Sequence, residues 1–400
     1  MKVAKIQEKQ ALAHLMDLLA IEGLSGSEGK VAAEIKRRAR SFGVRPSWIR
    51  HDDANKKIEG YEIGNLIITL PGTIKAPRRL MMGHMDTVPL CRGAVPVRKG
   101  DRIVSKGETG LGGDNRTAVA ALVTVLERIL VDKLDHPPLT FLFTVGEEVG
   151  LRGARVVKKK DLSDPKFGFN IDGGDPADLW TGALGADRWE VDIIGRSAHA
   201  GVHPDHGVSA ALIAARAIER AARDGYFGRI RIKGKKGTSN VGVIKGGEAT
   251  NQVTDHVFIK GESRSHDTKF KQRITETWKK AFEREAKRLK NHEKTSGKIR
   301  FRSETDYEPF EIDKKAAVVR EAVQAAKQVG LRLKLRSADG GLDANHLNRK
   351  GIPTVTMGAG QHSPHTVDEF IVVSEYLDGC RLALQVATMA GSKGSKGSKD

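Results

Sequence analysis

Residues 80–89 read LMMGHMDTVP, and this stretch decides how the rest of the chain is interpreted. Apolar and small residues precede His84 and Asp86, which is typical of a buried strand that ends in polar groups. The arrangement recurs three times: Glu147 and Glu148 follow FLFTVG at 141–146, Asp172 follows 167–171, and His365 follows 353–360. Because functional groups in open α/β sheets gather at the carboxyl ends of the strands, we expect these side chains to converge on one edge.

The alternation of apolar runs with helical stretches such as 114–130 predicts an α/β fold. We expect a mixed, mostly parallel sheet with helices on both faces. From 185 to 308 the pattern changes to alternating strand-like segments around two amphipathic helices, which predicts an inserted α+β module. The predicted organisation is a discontinuous domain of residues 1–184 and 309–390, interrupted by a second domain of residues 185–308.

Composition narrows the classes of protein that fit. A chain of 400 residues, 39% of them hydrophobic, is long enough for more than one core. Its formal net charge of +18 raises the question of a polyanionic partner. Much of the excess positive charge lies between 269 and 302, but aromatic residues make up only 5% and no stacking platform is visible. We interpret this region as a solvated helix face and do not expect nucleic acid as a partner.

The two cysteines, Cys91 and Cys380, cannot form a disulfide framework, which favours a reducing compartment. The first twenty residues lack the apolar run of a signal peptide, and no run reaches the roughly 18 apolar residues of a membrane span. We therefore expect a cytoplasmic protein without a membrane partner. The sequence GSKGSKGSKD at 391–400 is predicted to be a flexible basic tail.

The polar groups at the strand ends indicate a metal site. Taken alone, His84 with Asp86 could be an ordinary turn histidine, and Asp114 in GLGGDNRTA could cap a helix. Glu147 and Glu148, however, are adjacent carboxylates directly after a buried strand and would repel each other without a nearby cation. Two imidazoles and four carboxylates at one edge would be costly without metal, and such a set without cysteine suits zinc, cobalt or manganese.

Nine motifs, in this order, resemble a known family: GHMDTVP at 83–89, GLGGDNRTA at 110–118, TVGEEVG at 144–150, NIDGG at 170–174, GRSAHAG at 195–201, ATNQVTD at 249–255, GESRSHD at 261–267, GGLDANHLNRKGIP at 340–353 and HSPHTVDEF at 362–370. Together they resemble the dinuclear-zinc exopeptidases that include peptidase T, carboxypeptidase G and aminoacylase, and most closely the peptidase T-like branch. The resemblance extends from about residue 80 to 390. It implies a zinc-exopeptidase domain interrupted by a ferredoxin-like lid domain that mediates homodimer formation.

The resemblance also implies a role for each matching residue. His84 and Asp172 would hold one zinc ion, Glu148 and His365 the other, and Asp114 would bridge them, with cobalt or manganese as substitutes. The remaining roles are implied as follows: Glu147 as the general base for a water bridging the ions, Asp86 as the partner that orients His84, His199 as the group that steadies the developing oxyanion, and Asn251 and Arg264 as substrate-binding residues.

Two positions leave alternatives open. Asn115 stands where many relatives of this family have a second aspartate after the bridging one. His362 competes with His365 as the last metal ligand, although the family places that histidine four residues before a glutamate, which fits His365 and Glu369.

The expected function is metal-dependent hydrolysis of peptide bonds in short peptides, as in a tripeptide aminopeptidase of the peptidase T type. Other hydrolase signatures, such as HExxH and the GxSxG elbow, do not occur in the sequence. The alternatives are an N-acyl-amino-acid deacylase or carboxypeptidase of the same family and, more remotely, a basic polyanion-binding protein with a non-catalytic metal site.

Overall fold

The computed structural model describes residues 5–390, and the chain divides into two compact units. The first unit contains the chain up to Gly182, Glu311–Ala338 and the chain from Leu342 onward. The second unit consists of Ala183–Phe310 with the short segment Asp339–Gly341. The basic tail predicted at 391–400 lies outside the described residues.

The helices and strands follow one another along the chain in three stretches. The first contains α1 (Glu8–Leu19), α2 (Gly29–Ser41), β1 (Ile49–His51), α3 (Ala54–Lys57), β2 (Leu66–Leu70), β3 (Arg79–His84), β4 (Pro96–Lys99), β5 (Arg102–Ser105), α4 (Gly113–Val131), β6 (Leu139–Thr144), α5 (Arg152–Val156), β7 (Phe167–Ile171) and β8 (Asp178–Ala183). The second contains β9 (Gly185–Ile194), α6 (Ala210–Arg223), β10 (Gly228–Ile232), β11 (Lys235–Gly246), β12 (His256–Ser265), α7 (Thr268–Arg288) and β13 (Lys298–Tyr307). The third contains β14 (Phe310–Glu311), α8 (Ala317–Gln328), β15 (Lys334–Ala338), α9 (Asp343–Arg349), β16 (Thr354–Met357), β17 (Gln361–His362), β18 (Phe370–Val372) and α10 (Val373–Thr388).

The first unit is built on a large mixed sheet. Within residues 5–390 this sheet has nine strands in the order β1-β2-β6-β3-β7-β16-β8-β14, and β15 also pairs with β8. The ladders that join β6, β3, β7 and β16 are parallel. Those between β1 and β2, β2 and β6, and β16 and β8 are antiparallel. The predicted mixed α/β sheet is therefore confirmed, and its parallel pairing is concentrated in the four central strands.

Both faces of the large sheet are covered. On β3, Met81 belongs to the main core cluster, which also includes apolar residues of α1, α2, α4, α8 and α10. Leu80 and Met82 point the other way into a smaller cluster with residues around α5 and α9. Every residue of β3, β6 and β7 is buried. A strand buried on both faces needs apolar side chains at successive positions, which is why these segments appear as continuous apolar runs in the sequence.

The strand register brings the polar groups to one level. His84, the last residue of β3, pairs with Thr144, the last residue of β6. On the other side of β3, Met82 pairs with Asn170 of β7, so Asp172 lies directly beyond that strand at the level of His84. The carboxyl ends of three adjacent parallel strands therefore deliver their side chains to the same edge, as the sequence pattern predicted.

The second unit is a ferredoxin-like domain with one additional edge strand. Its five-stranded antiparallel sheet has the order β10-β11-β12-β9-β13. The path β9-α6-β11-β12-α7-β13 is the split βαβ arrangement, and β10 extends it at the edge. Trp189, Trp278 and Phe282 are buried in the core between the sheet and its two helices. The Trp278 indole also donates a hydrogen bond of 3.0 Å to Ser239 Oγ.

Two further features of the described residues bear on the sequence predictions. Cys91 and Cys380 are both buried and neither forms a disulfide. Within residues 5–390, no helix combines the length and the apolar composition that crossing a membrane requires.

The core of the large sheet gives a prediction about stability. Phe169 of β7 is fully buried, so replacing it with alanine should leave a cavity and lower the free energy of unfolding by about 3–5 kcal/mol. Val131, at the end of α4, is 55% exposed, and Val131→Ala should change the free energy of unfolding by less than about 0.5 kcal/mol. Urea denaturation of the two variants measures the difference. Equal losses of stability would contradict the described burial.

Candidate active site

His84, Asp114 and Asp172 form the first group of ligand atoms at the sheet edge. His84 Nε2 lies 3.1 Å from Asp114 Oδ1 and 3.8 Å from Asp172 Oδ1. The ligand atoms of the three residues all lie within 4.8 Å of one another. One imidazole and two carboxylates so arranged provide a donor set of the kind that binds a divalent transition-metal ion.

Asp114, Glu148 and His365 form a second group that shares one member with the first. His365 Nε2 lies 2.8 Å from Glu148 Oε2 and 3.6 Å from Asp114 Oδ2. These ligand atoms also lie within 4.8 Å of one another. Asp114 therefore presents Oδ1 to the histidine of one group and Oδ2 to the histidine of the other. A shared carboxylate of this kind is what a two-metal site uses as its bridge.

The backbone around Asp114 explains why its side chain is available. Gly112 has a φ of +78°, a left-handed conformation that favours glycine, and Asp114 and Asn115 have non-helical backbone angles at the start of α4. Asp114 therefore does not cap the helix. Asn115 does so instead, accepting the Ala118 N–H at 3.1 Å while its amide donates to Ile171 O at 2.8 Å. The asparagine that departs from the family pattern thus ties α4 to the end of β7.

Glu147 lies beside His84 and Glu148, one member of each of the two groups. Its Oε2 is 4.0 Å from His84 Nε2, and it forms a third potential ligand group with His84 and Glu148. Burial raises the pKa of Glu147 well above its usual value, and the Asp172 carboxylate adds to this, while His84 acts in the opposite direction. We refer to His84, Asp114, Glu147, Glu148, Asp172 and His365 as the acid–imidazole cluster.

Asp86 is fully buried and contacts the cluster at two places, the His84 ring and the backbone of Glu147 and Glu148. Its Oδ1 is 3.3 Å from His84 Nδ1, so the opposite nitrogen, Nε2, faces Asp114 and Asp172. The same carboxylate accepts the backbone N–H groups of Glu147 and Glu148 at 3.0 and 3.2 Å. This arrangement is the one expected of a residue that orients a metal-binding histidine.

The electrostatics of the cluster indicate missing positive charge. Within residues 5–390, no lysine or arginine pairs with the carboxylates of Asp114, Glu147, Glu148 or Asp172. Burial, with the neighbouring Asp114 carboxylate, raises the pKa of Asp172 well above its usual value. Burial would lower the pKa of His84, but its hydrogen bonds to Asp114 and Asp86 hold it well above the usual range. Divalent cations would compensate these carboxylates, so the donor set fits two such ions.

His362, the competing histidine, is engaged elsewhere. Its Nε2 lies 2.6 Å from Glu375 Oε2, and its ring stacks on Phe370. It belongs to none of the ligand groups found among residues 5–390. His365, by contrast, has its pKa raised to about 9, chiefly by its hydrogen bond to Glu148. The geometry favours His365 as the ligand.

His199 and Asn251 lie in the second unit, where their two motifs meet. Ala200 N donates to Asn251 O at 2.8 Å, and His199 pairs with Gln252 in an isolated β-bridge. His199 Nδ1 accepts the backbone N–H groups of Gly201 and Val202, each at 3.2 Å. A ring nitrogen that accepts hydrogen bonds carries no proton, so the neutral ring has its proton on Nε2.

Arg264, also in the second unit, already has a carboxylate partner. Its Nε and one terminal nitrogen donate to the two oxygens of Glu262 at 2.8 and 2.9 Å. This is the bidentate geometry that a guanidinium would use for the terminal carboxylate of a substrate. A substrate carboxylate would therefore have to compete with Glu262 for Arg264.

Glu369 supports the site in a way that the sequence did not reveal. Its buried carboxylate accepts three backbone N–H groups, from Leu111 at 2.7 Å, Gly112 at 2.8 Å and Asp114 at 2.9 Å. It therefore holds the loop that presents Asp114. In the sequence, Glu369 served only to identify His365, which lies four residues before it. Its contacts join residues more than 250 positions apart, which no local pattern reports.

The segment LSGSEG at 24–29 also supports the site, although the sequence analysis assigned it no role. Ser25 Oγ donates to Asp86 Oδ2 at 2.6 Å. The fully buried Glu28 accepts the Gly26 and Gly146 N–H groups, each at 3.0 Å, and so fixes the residue before Glu147. Burial raises the pKa of Glu28 to about 7.

Asp343 is a third residue that sequence reasoning missed. It opens α9, is buried, and accepts a hydrogen bond from the Thr144 hydroxyl at the end of β6. Burial raises its pKa to about 6. Its position in GGLDANHLNRKGIP was a usable signal, because that motif was already part of the family resemblance and contains an acid at a helix start.

Comparison with known proteins gives a consistent result. The sequence profile of peptidase family M20/M25/M40 matches residues 80–389. The Bacillus subtilis (strain 168) protein YqjE is 30% identical over 382 residues, covering 95% of this chain and 98% of that protein. The crystal structure of the aminopeptidase PepT from Bacillus cereus ATCC 10987 is similar to this chain, with 31% sequence identity and a TM-score of 0.84. The crystal structure of a tripeptidase from Staphylococcus aureus Mu50 has 32% sequence identity and a TM-score of 0.86. Both alignments include 96% of this chain and 98% of the other protein's chain.

Glu369 gives a prediction about metal affinity. In Glu369→Gln an amide N–H₂ would face one of the backbone N–H groups that the carboxylate now accepts, so the Asp114 loop should be held less firmly. Loss of such support typically weakens metal binding by about 10–100-fold. Competition for zinc with a chromophoric chelator measures the change. Glu375→Gln is the matched control, because Glu375 contacts His362 outside the cluster; equal zinc affinity in both variants would contradict the role of Glu369.

Proposed function

Because the chain belongs to peptidase family M20/M25/M40 and is a peptide hydrolase of its peptidase T-like branch, we propose that it is a metal-dependent aminopeptidase that acts on short peptides such as tripeptides. The observation that carries this proposal is the sharing of Asp114 between two ligand groups. The similarity to PepT and to a tripeptidase, each above 30% identity along nearly the whole chain, supports the choice of substrate.

The proposed cofactor is a pair of zinc ions per subunit, with cobalt or manganese as substitutes. His84 and Asp172 would hold one ion, Glu148 and His365 the other, and Asp114 both. When bound, such ions would polarise the peptide carbonyl and lower the pKa of water from 15.7 towards about 7. The absence of any lysine or arginine partner for these carboxylates within residues 5–390 supports the assignment.

Glu147 is the proposed general base. Its carboxylate would take a proton from the attacking water and later donate it to the nitrogen of the leaving amine. In the metal-free chain burial raises the pKa of Glu147, and two bound cations would favour the ionised carboxylate that a general base needs. Asp86 fixes the backbone of Glu147, which limits where the carboxylate can move.

His199 is the proposed donor to the carbonyl oxygen on which negative charge develops. With both backbone N–H groups directed at Nδ1, its Nε2–H is available to donate to that oxygen. Asn251, joined to the same turn through its backbone, would bind the peptide through its side-chain amide. For Arg264 we propose a secondary contribution to substrate binding, because Glu262 already occupies its guanidinium.

We further propose that the chain forms a homodimer through the second unit and works in the cytoplasm. Strands β10 and β13 end the five-stranded sheet, so each leaves a backbone edge to which a second copy could add. Two unpaired cysteines fit a reducing compartment. Light scattering coupled to size-exclusion chromatography tests the dimer, and a monomer mass at working concentration would contradict it.

Substitution of the proposed base gives a sharp prediction. Glu147→Gln should keep its metal, because Glu147 is not one of the proposed ligands, yet lose about 10²–10⁴-fold in kcat, the usual contribution of a general base. Tripeptide hydrolysis and metal content by mass spectrometry are measured together. The exposed Glu59 provides the control Glu59→Gln, which should match the native enzyme. Loss of one metal ion in Glu147→Gln would instead make Glu147 a ligand.

Metal removal and substrate choice test the rest of the proposal. Chelation should abolish hydrolysis of a tripeptide with a free amino terminus, and zinc, cobalt or manganese should restore it. N-acetylation of the same tripeptide should prevent cleavage. If the acetylated peptide is cut, or acetyl amino acids are hydrolysed, the deacylase or carboxypeptidase alternative is correct. A chain that never cuts peptides but binds RNA with a steep salt dependence would support the polyanion-binding alternative.

A further inference from the structure

A second group of potential metal ligands lies on the surface of the second unit, in the loop after the His199 turn. His203, Asp205 and His206 are all exposed, and their ligand atoms lie within 4.8 Å of one another. Residues Pro204–His206 form one turn of 3₁₀ helix directly after His203. Side chains three residues apart in such a turn eclipse each other, which places the two imidazoles on the same side.

A neighbouring loop holds this turn in place. His292 N donates to Asp205 O at 3.0 Å, and Asn291 Nδ2 donates to His206 O at 3.0 Å. The ring of His206 stacks between those of His203 and His292, with centroid distances of 4.7 and 4.0 Å. The backbone of the turn is therefore held in place before any ion arrives, whereas the stacked imidazoles of His203 and His206 have to turn out of the stack to face one ion.

The ligand atoms of this turn are free to coordinate. Within residues 5–390, the side chains of His203, Asp205 and His206 form no hydrogen bond or ion pair. Two other exposed histidines of the second unit, at the start of β12 and in the turn after it, do have carboxylate partners. His256 lies 3.0 Å from Asp192, and His266 lies 3.2 Å from Asp339. Surface histidines of this unit can thus be separated into a paired set and an unpaired, converging set.

We propose that His203, Asp205 and His206 form a surface binding site for one borderline divalent cation, such as zinc, nickel or copper. Zinc binds imidazole and carboxylate ligands at about 2.0–2.2 Å, so two of its ligand atoms lie at most about 4.4 Å apart. The ligand atoms already lie within 4.8 Å of one another, so rotation of the exposed side chains, which separates the stacked rings of His203 and His206, can bring them to that spacing. Water would complete the coordination, because the nearby Glu293 carboxylate pairs with Arg196.

The site does not depend on the proposed peptidase function, because none of its residues belongs to the acid–imidazole cluster. It is connected to that function at one point. His203 N donates to His199 O at 3.0 Å, so an ion bound by His203 would also restrain the turn that carries the proposed oxyanion donor.

Retention on immobilised nickel tests the site, because ions fixed to a resin can reach an exposed turn, whereas His365 is the one exposed histidine of the acid–imidazole cluster. The full-length chain, stripped of metal and free of any affinity tag, should be retained and should elute with imidazole. His203→Ala/His206→Ala should lose retention. His256→Ala/His266→Ala removes the same number of exposed histidines from the same unit and should be retained like the native chain.

Zinc stoichiometry gives an independent measurement. After equilibrium dialysis, the native chain and the His256→Ala/His266→Ala control should hold one more zinc ion per chain than His203→Ala/His206→Ala. Circular dichroism checks that each variant is folded, and His206→Asn serves as a milder substitution if the double variant is not. Equal zinc content in native and substituted chains, or equal retention on nickel, would overturn the proposal. Peptide hydrolysis by the double variant is measured separately, so a failure of this site leaves the test of the peptidase function unaffected.

Discussion

Compensation of negative charge at the carboxyl edge of the large sheet is the constraint on which the rest of the structure depends. Four carboxylates converge there around His84 and His365, and no lysine or arginine of the described chain pairs with them. Such a group is stable only if protons or cations neutralise it. The raised pKa values of the buried Glu147 and Asp172 are one expression of this constraint. The sharing of Asp114 between two ligand groups is the other, because a single carboxylate can then serve two ions.

The surrounding structure keeps these groups in position although they repel each other. Asp86 orients His84 and accepts the backbone N–H groups of Glu147 and Glu148. Glu369 accepts three N–H groups from the loop that carries Asp114. These supporting carboxylates are themselves buried, so each replaces its lost hydration with hydrogen bonds from the backbone. The site is thus organised in two layers, one facing the proposed ions and one that fixes the first.

The second unit contributes a different kind of chemistry. His199, His203 and His206 lie on exposed turns rather than at strand ends, and the contacts around them differ. At His199 two backbone donors fix the tautomer. At His203 and His206 the nitrogens stay without a protein partner in the described chain while their rings are held by stacking. The same residue type is therefore prepared as a hydrogen-bond donor in one turn and as a candidate metal ligand in the next.

The sequence by itself determined the α/β class, the convergence of the strand ends and the members of the acid–imidazole cluster apart from the choice between His362 and His365. It could do so because strands buried on both faces have continuous apolar runs, and because motifs such as GHMDTVP and TVGEEVG keep their polar residues directly after those runs. Only the tertiary structure decided that Glu369 holds the Asp114 loop, that Glu262 engages Arg264 and that Glu375 engages His362. It also decided that His292 stacks on His206. The contacts of Glu369 with the Asp114 loop and of His292 with His206 join residues far apart in the chain, whereas the Glu262–Arg264 and Glu375–His362 pairs are more local. All depend on side-chain direction and loop position, which local patterns of hydrophobicity and charge do not specify.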